Sequence, residues 1–375
     1  MFTTERKIAD AAWPRGPGSS LESSDRFKLA YVKYTSTEKP AENAIKVNLI
    51  FSHGTGMNKS VWKVHINKLF ELSKAVLWHL NRVLAIDCVN HGDSALLNKD
   101  KIAWAFDWRD GGKDIVKVVQ HEASTTGDFV PEPSTLNILV GHSFGGFGST
   151  YASYLEPSLF SGCIALEPVL YSEMQYKEFF FHRLQKVQAA IKDTFDLMED
   201  AVKYFQKASF YRTLEPEVLK DFVSDELYPE NGKVKAKASL LAQMATYCSA
   251  FYCLYYDQDA LKTMKIPYYH IVGSEAAWNL PQTVDFVQES VPADLLEQGE
   301  IAGTHLMFGE NVADTVKAIH EFCDKRAQFA QTHLKEFPSV KCSGDRSQML
   351  EEMCPAILEG DYSKAFWYGR PEPKI

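Results

Sequence analysis

No uninterrupted apolar stretch in this sequence reaches the ~18–20 residues that a membrane-spanning helix requires, so no transmembrane segment is expected. Nor is there a basic run longer than a few residues, and the formal net charge is −9. Phosphate binding needs a local excess of Lys and Arg, which excludes nucleic acid as a partner. The seven cysteines (88, 163, 248, 253, 323, 342 and 354) form no CxxC pair and no framework spacing, the pattern of free, mostly buried thiols in a reducing compartment. Without an H-x-x-x-H pair or a Cys/His cluster of ligand spacing, no metal site is expected. The N-terminal MFTTERKIADAAWPRGPG has charges at Glu5, Arg6 and Lys7 and no apolar core, which argues against a secretory signal. What the chain does have is apolar material: 45% of its 375 residues are hydrophobic and 13% aromatic, enough for a large core.

Between residues 27 and 166 short apolar runs alternate with longer amphipathic ones. Residues 47–51 (VNLIF), 83–87 (VLAID), 136–140 (LNILV) and 163–166 (CIAL) have the length and aliphatic content of strands covered on both faces. Segments 61–72 and 108–120 between them show the three- and four-residue spacing of helices. This alternation predicts a mostly parallel central sheet with flanking helices, an α/β fold. From about 171 to 263 no convincing strand appears, only helical patterns crowded with aromatics. Strands resume at 268–272 (YYHIV) and near 295–301, and a helix is expected over about 311–333. The expected organisation is a core of residues 1–170 and 264–337, a helical lid at 171–263, and a tail at 338–375.

Residues 136–148 read LNILVGHSFGGFG, a strand followed by G-x-S-x-G and small residues opening a helix. In that context the motif is a nucleophile elbow. Ser143 must occupy a turn so sharp that its backbone is strained, and glycines at 141 and 145 leave room where a Cβ would strike a neighbour. A serine needs a base, and in this order of triad the base comes late in the chain. His305, in Gly303-Thr304-His305 after the last expected strand, meets that requirement. Histidines 65, 79, 121, 182, 270, 320 and 333 lie in helices, strands or the tail, while His53, His91 and His142 belong to local motifs. The acid that orients the imidazole comes from Glu167, which closes the strand at 163–166 and precedes Pro168, or alternatively from Glu275, which follows the strand at 268–272. The oxyanion needs two backbone donors. The N–H of Phe144 is one, and Thr55 or Gly54, in the turn after the strand at 47–51, supplies the other. The turn Asp87-Cys88-Val89-Asn90-His91-Gly92-Asp93-Ser94 is expected mainly to shape its loop.

The H-G turn, D-x-x-x-H-G-D-S, G-H-S-F-G-G and a late G-x-H together resemble the α/β-hydrolase superfamily across most of residues 25–335. More narrowly, AAWPR at 11–15, YTS at 34–36, HGTGMNKSVW, VNHGDSA, GHSFGGF and LEPV resemble the fungal peroxisomal lipase and toxin-biosynthesis hydrolase group. The resemblance implies a carboxylic ester hydrolase (lipase or esterase type) acting on a small hydrophobic acyl ester, with no metal or organic cofactor and with Ser143 and His305 as nucleophile and base. It implies import into the peroxisomal matrix through a receptor reading Pro373, Lys374 and Ile375, the alternative being a cytoplasmic enzyme. The lid is expected to cover the site, with Tyr247, Phe251 and Tyr255 on one helical face, and Met57, lining an apolar pocket. Thioester hydrolysis or another acyl transfer is the alternative chemistry. A hydrolase-fold protein that binds a small molecule without turnover is the alternative of another class.

Overall fold

The computed structural model describes residues 1–42, 44–73, 78–256 and 259–336, with a few isolated positions between 351 and 359. Cys342, Pro373, Lys374 and Ile375 lie outside the described residues. In chain order the elements before the insertion are β1 (Phe2–Asp10), β2 (Lys28–Ser36), β3 (Ile45–Ser52), α1 (Lys63–Leu72), β4 (Trp78–Ile86), α2 (Gly92–Asn98), α3 (Trp108–Thr126), β5 (Thr135–His142), α4 (Phe144–Leu155) and β6 (Gly162–Leu166). The insertion holds α5 (Lys177–Ala190), β7 (Thr194–Phe195), α6 (Met198–Lys207), α7 (Pro216–Glu226), β8 (Leu227–Glu230), β9 (Lys233–Ala236), α8 (Leu240–Tyr256) and α9 (Asp259–Lys262). The core then resumes with β10 (Tyr268–Gly273), α10 (Pro281–Ser290), β11 (Leu296–Ile301), α11 (Met307–Glu310) and α12 (Val312–Glu336).

Eight strands form one sheet in the order β1-β2-β4-β3-β5-β6-β10-β11. The five pairings from β4 to β11 are parallel, and only β1 with β2 and β2 with β4 are antiparallel. All eight residues of β5 are buried, as both faces of a central parallel strand must be. One face carries a cluster that includes Phe51, Trp62, Phe308 and Phe322, and the other a cluster that includes Tyr31, Ile50, Phe147 and Tyr268. The buried polar pair Asn48 and Asn137, on adjacent strands, is self-satisfied: the Asn48 amide donates to Asn137 Oδ1 at 2.9 Å. The six expected strands are all present. β1 escapes sequence reading because it is an edge strand with most residues exposed, so its sequence FTTERKIAD shows no apolar run.

The insertion corrects one expectation, since it carries an antiparallel sheet in the order β7-β9-β8 as well as helices. β8 and β9 form a hairpin in which Glu230 pairs with Lys233 around Asn231 (φ 52°) and Gly232 (φ 72°). An Asn-Gly pair at positive φ is the strongest short-range hairpin signal, and it was there to be read in YPENGKVK. The insertion is tied to the core through charge. Lys59, in the turn before α1, is almost fully buried and donates to Asp87 at 2.7 Å, Asp93 at 2.9 Å and Asp225 of α7 at 3.0 Å. Lys237 bridges Asp93 and Asp225 from the other side. These carboxylates hold the Lys59 ammonium far above its ordinary value despite burial, and Lys59 and its neighbours hold Asp225 well below its own. Beside them Glu226 is buried, accepting from Asn58 Nδ2 at 2.9 Å and the Ala238 N–H at 2.7 Å, and burial pushes its carboxyl up to about 7. Among the described residues no helix is long and apolar enough to cross a membrane.

Candidate active site

β5 ends at His142, and Ser143 turns the chain into α4 with φ 54° and ψ −118°. That conformation is outside the regions a β-carbon normally tolerates, and it is sustained by what surrounds it. A Cβ at Gly141 would lie 2.3 Å from Gly145 O, and one at Gly145 2.5 Å from Ser52 O, so both positions need glycine for the helix to pass this close to the sheet. The Ser143 N–H donates to Leu166 O at 3.1 Å, locking the elbow to the neighbouring strand β6. Phe144 is the first residue of α4, and its N–H therefore has no acceptor within the helix.

The Ser143 hydroxyl is 2.9 Å from His305 Nε2. His305 stands in the loop between β11 and α11, and its Nδ1 is 3.0 Å from Glu167 Oε2. Glu167 is the residue after β6, buried to 1% exposure, and its positive φ of 46° swings the side chain across toward β10. There Oε1 accepts the Gly273 N–H at 2.8 Å and Oε2 accepts from Asn279 Nδ2 at 3.1 Å. Glu275 is exposed, and its N–H donates to Gly303 O. The loop that Glu275 begins instead delivers Trp278, whose ring stacks 5.4 Å from that of His305, and Asn279, which steadies the Glu167 carboxylate. Sequence reading missed both, although VGSEAAWN ends the strand that lies beside Glu167. His142 braces the same loop: its Nε2 is 2.7 Å from His305 O, and burial, with the neighbouring His305 imidazole second, holds the His142 imidazole well below its ordinary value, so it is neutral.

The turn after β3 packs directly on the serine, since a Cβ at Gly54 would sit 3.3 Å from that of Ser143. The turn is pinned from three sides. The His53 ring is 2.9 Å from Gly54 O, the Gly56 N–H donates to His91 Nε2 at 2.9 Å, and Tyr211 of the insertion donates its hydroxyl to Gly56 O at 2.9 Å. His91 thus belongs to the scaffold, as does Asp87, which receives the Lys59 and Asp93 N–H groups. Thr55 is buried beside these groups.

Of the residues expected to line a pocket, Tyr247 packs on Trp278, the ring that stacks on His305, with centroids 6.0 Å apart. Phe251 is buried among Phe180 and Phe181, with Tyr255 stacked on it at 6.4 Å. Met57 is 1% exposed, inside the cluster that holds Trp62. The six described cysteines are free, and burial pushes the Cys88 thiol up to about 12.

The elbow, the sheet order and the late histidine define a class. The chain belongs to the alpha/beta hydrolase family, which it matches over residues 49–318, and it has that fold: a mostly parallel sheet with flanking helices. Within that family it resembles a Saccharomyces cerevisiae protein, peroxisomal membrane protein LPX1, at 29% identity over 312 residues, 77% of this chain and 79% of the relative. The solved structure of the yeast peroxisomal alpha-beta-hydrolase Lpx1 superposes with a TM-score of 0.79 at 26% identity, covering 98% of this chain and 99% of that one. A Penicillium roqueforti protein, type I acyl-CoA thioesterase mpaH, is 26% identical over 170 residues, which are 45% of this chain and 37% of the relative. A solved E-2-(acetamidomethylene)succinate hydrolase shares the fold at 18% identity and a TM-score of 0.60, over 79% of this chain and 96% of that one.

Proposed function

We propose that the chain is a serine hydrolase that cleaves carboxylic esters of hydrophobic acids through an acyl-enzyme. One observation carries this reading: the unbroken hydrogen-bonded run from Ser143 Oγ through both nitrogens of His305 to Glu167 Oε2. In the first half-reaction Ser143 Oγ attacks the acyl carbon while His305 Nε2 takes its proton. Glu167 stabilises the imidazolium that forms and holds Nδ1 in the protonated tautomer. The N–H of Phe144 and one from Thr55 or Gly54 stabilise the oxyanion. The alcohol leaves with the proton from His305, and water then releases the acid through the same base. Residues 1–170 and 264–337 make the catalytic body in this reading. Residues 171–263 cover its mouth, and their aromatic content, with Tyr247 packed on Trp278 next to His305, favours an apolar acyl group over a sugar or nucleotide.

A fluorophosphonate probe should label the wild type at Ser143 and leave Ser143→Ala unlabelled, with turnover of p-nitrophenyl esters falling at least ~10³-fold. Stoichiometric binding of the ester without multiple turnover by the wild type would favour a non-catalytic binding protein and sink the proposal. Thioester hydrolysis is the second reading, supported by the similarity to a named acyl-CoA thioesterase. Comparing kcat/KM for an acyl-CoA and the matching p-nitrophenyl ester separates the two. The yeast relative's name supports a peroxisomal compartment for this chain as well. A full-length fluorescent fusion spread through the cytosol would count against it.

A further inference from the structure

A second cavity, of about 540 Å³, lies wholly within the insertion, and no residue of the Ser143 site lines it. Its walls are apolar: Met198 and Val202 from α6, Leu214 from the turn between α6 and α7, Leu219 and Val223 from α7, and Leu227 from β8. Its volume is that of a site for a small organic molecule. Two cations, Arg212 and Lys220, are also among its lining residues, and no lining residue carries a carboxylate. Both side chains are exposed, and among the described residues neither is paired with an acid. Arg212 is held in place by one bond, from Nη1 to Ser209 O at 2.9 Å, which leaves the rest of its donor fork unspent. Apolar surface continues outward at Met198, which is 44% exposed. An apolar chamber with unpaired positive charge in its lining and no negative charge selects a ligand with a long aliphatic body and an anionic end.

We propose that this cavity is a binding site for a long-chain aliphatic carboxylate, separate from the catalytic centre. The inference does not rest on the chemistry at Ser143. The cavity wall is nevertheless built from the pieces that position that centre. Tyr211, beside Arg212, holds the Gly56 carbonyl. Leu214 packs so tightly on Gly309 of α11 that a Cβ there would come within 2.5 Å of it, and the Glu215 N–H donates to Gly309 O at 2.7 Å. An occupant therefore leans on a segment that touches both the turn that holds Gly54 and Gly56 and the helix α11 that follows the loop of His305.

The test is photolabelling of the full chain with a diazirine-bearing dodecanoate below its micellar concentration, followed by peptide mapping. Label is expected on peptides spanning 198–206 and 212–227. It should fall at least tenfold in R212E/K220E, with the neutral R212Q/K220Q falling in the same direction by less should the double reversal not fold. Excess unlabelled dodecanoate should compete, and dodecyltrimethylammonium should not. Label confined to peptides carrying Ser143 or His305, or equal competition by the cationic amphiphile, would overturn the proposal. So would sedimentation with anionic phosphatidylserine vesicles that depends on Arg212 and Lys220 while monomeric dodecanoate leaves the cavity unlabelled. That result would make the patch a membrane contact instead.

Discussion

Replacing Glu167 by Gln is the sharpest test of how the imidazole is held. The carboxylate accepts on both oxygens: Oε1 from the Gly273 N–H, and Oε2 from Asn279 Nδ2 and His305 Nδ1. A carboxamide has only one accepting oxygen, so one side must be lost. If the amide oxygen faces Gly273, the NH₂ group faces His305 and can bond only to an unprotonated Nδ1. The proton then sits on Nε2, pointing at Ser143, and His305 cannot take the serine's proton. If the amide oxygen faces His305 instead, two donors oppose each other at the buried Gly273 N–H, at a cost of about 1–3 kcal/mol. The first arrangement keeps the bond at the buried Gly273 N–H and sets the NH₂ against Asn279 Nδ2. Asn279 is half-buried and can turn its own oxygen to the new donor at the cost of its bond to Pro168 O, so this arrangement dominates. A carboxamide in place of the acid of such a triad costs about 10⁴ in kcat, equivalent to about 5.5 kcal/mol of transition-state stabilisation. Glu167 is 1% exposed and out of reach of a substrate, so KM should stay within about threefold. The assay is steady-state hydrolysis of a p-nitrophenyl ester by wild type, Glu167→Gln and Glu275→Gln, with circular dichroism to confirm folding. A kcat for Glu167→Gln within tenfold of wild type, or a collapse in Glu275→Gln alone, would refute the assignment of the acid.

Lys59→Met leaves the buried Asp87 without its cation and should cost about 3–5 kcal/mol in urea unfolding; a loss under ~1 kcal/mol would refute the claim that Asp87 needs Lys59 to stay buried. Glu226 has a folded-state pKa raised to about 7 from the ordinary 4.5, so the unfolded chain gives up this proton first as pH rises. Its contribution to stability is thus fully present below about pH 4.5 and lost by about pH 7, a fall of at most about 3 kcal/mol. Glu226→Gln should flatten the decline of unfolding free energy across that window, and an unchanged slope would show that Glu226 is not its source. Gly145→Ala puts a Cβ 2.5 Å from Ser52 O and 2.6 Å from His53 O, so the elbow and the Gly54 turn must separate. Thermal unfolding should register about 1–3 kcal/mol, and kcat a loss of about 10²-fold; wild-type values for both would mean that the backbone absorbs the methyl.

The central strands were legible because a buried parallel strand has no polar face to interrupt its aliphatic run, as 47–51 and 136–140 show. Ser143 and His305 could be located because the elbow and the late loop have local signatures. Between the two carboxylates the sequence favours Glu167, on its place before Pro168, but leaves Glu275 as an alternative, since both follow strands that are neighbours in the sheet. What joins Glu167 to His305 is a positive φ before a proline and donors from Gly273 and Asn279, none of which has a local pattern. Trp278 and Asn279 were invisible for the same reason. Met57, a methionine in the loop beside the site that fits a pocket by sequence, lies buried in the core cluster, a depth that its sequence position does not signal. In the insertion the aromatic density drowned the short β8–β9 hairpin, although its Asn-Gly turn was explicit.

The pairing of β6 with β10 has a consequence for how the molecule comes into being. Cys163 meets Tyr268 only after about a hundred intervening residues have been looped out, among the more costly closures a chain of this size can make. Glu167 takes its orientation from that pairing, through its own N–H to Ile271 O and its carboxylate to the Gly273 N–H. The elbow at Ser143 rests on β5 with β6, a short closure between Ile138 and Gly162, but also on β3 with β5, where Val47 meets Leu136 across a span nearly as long. The hydrogen-bonded run from Ser143 through His305 to Glu167 is therefore a product of several long-range closures, and it can form only once distant parts of the sheet have paired.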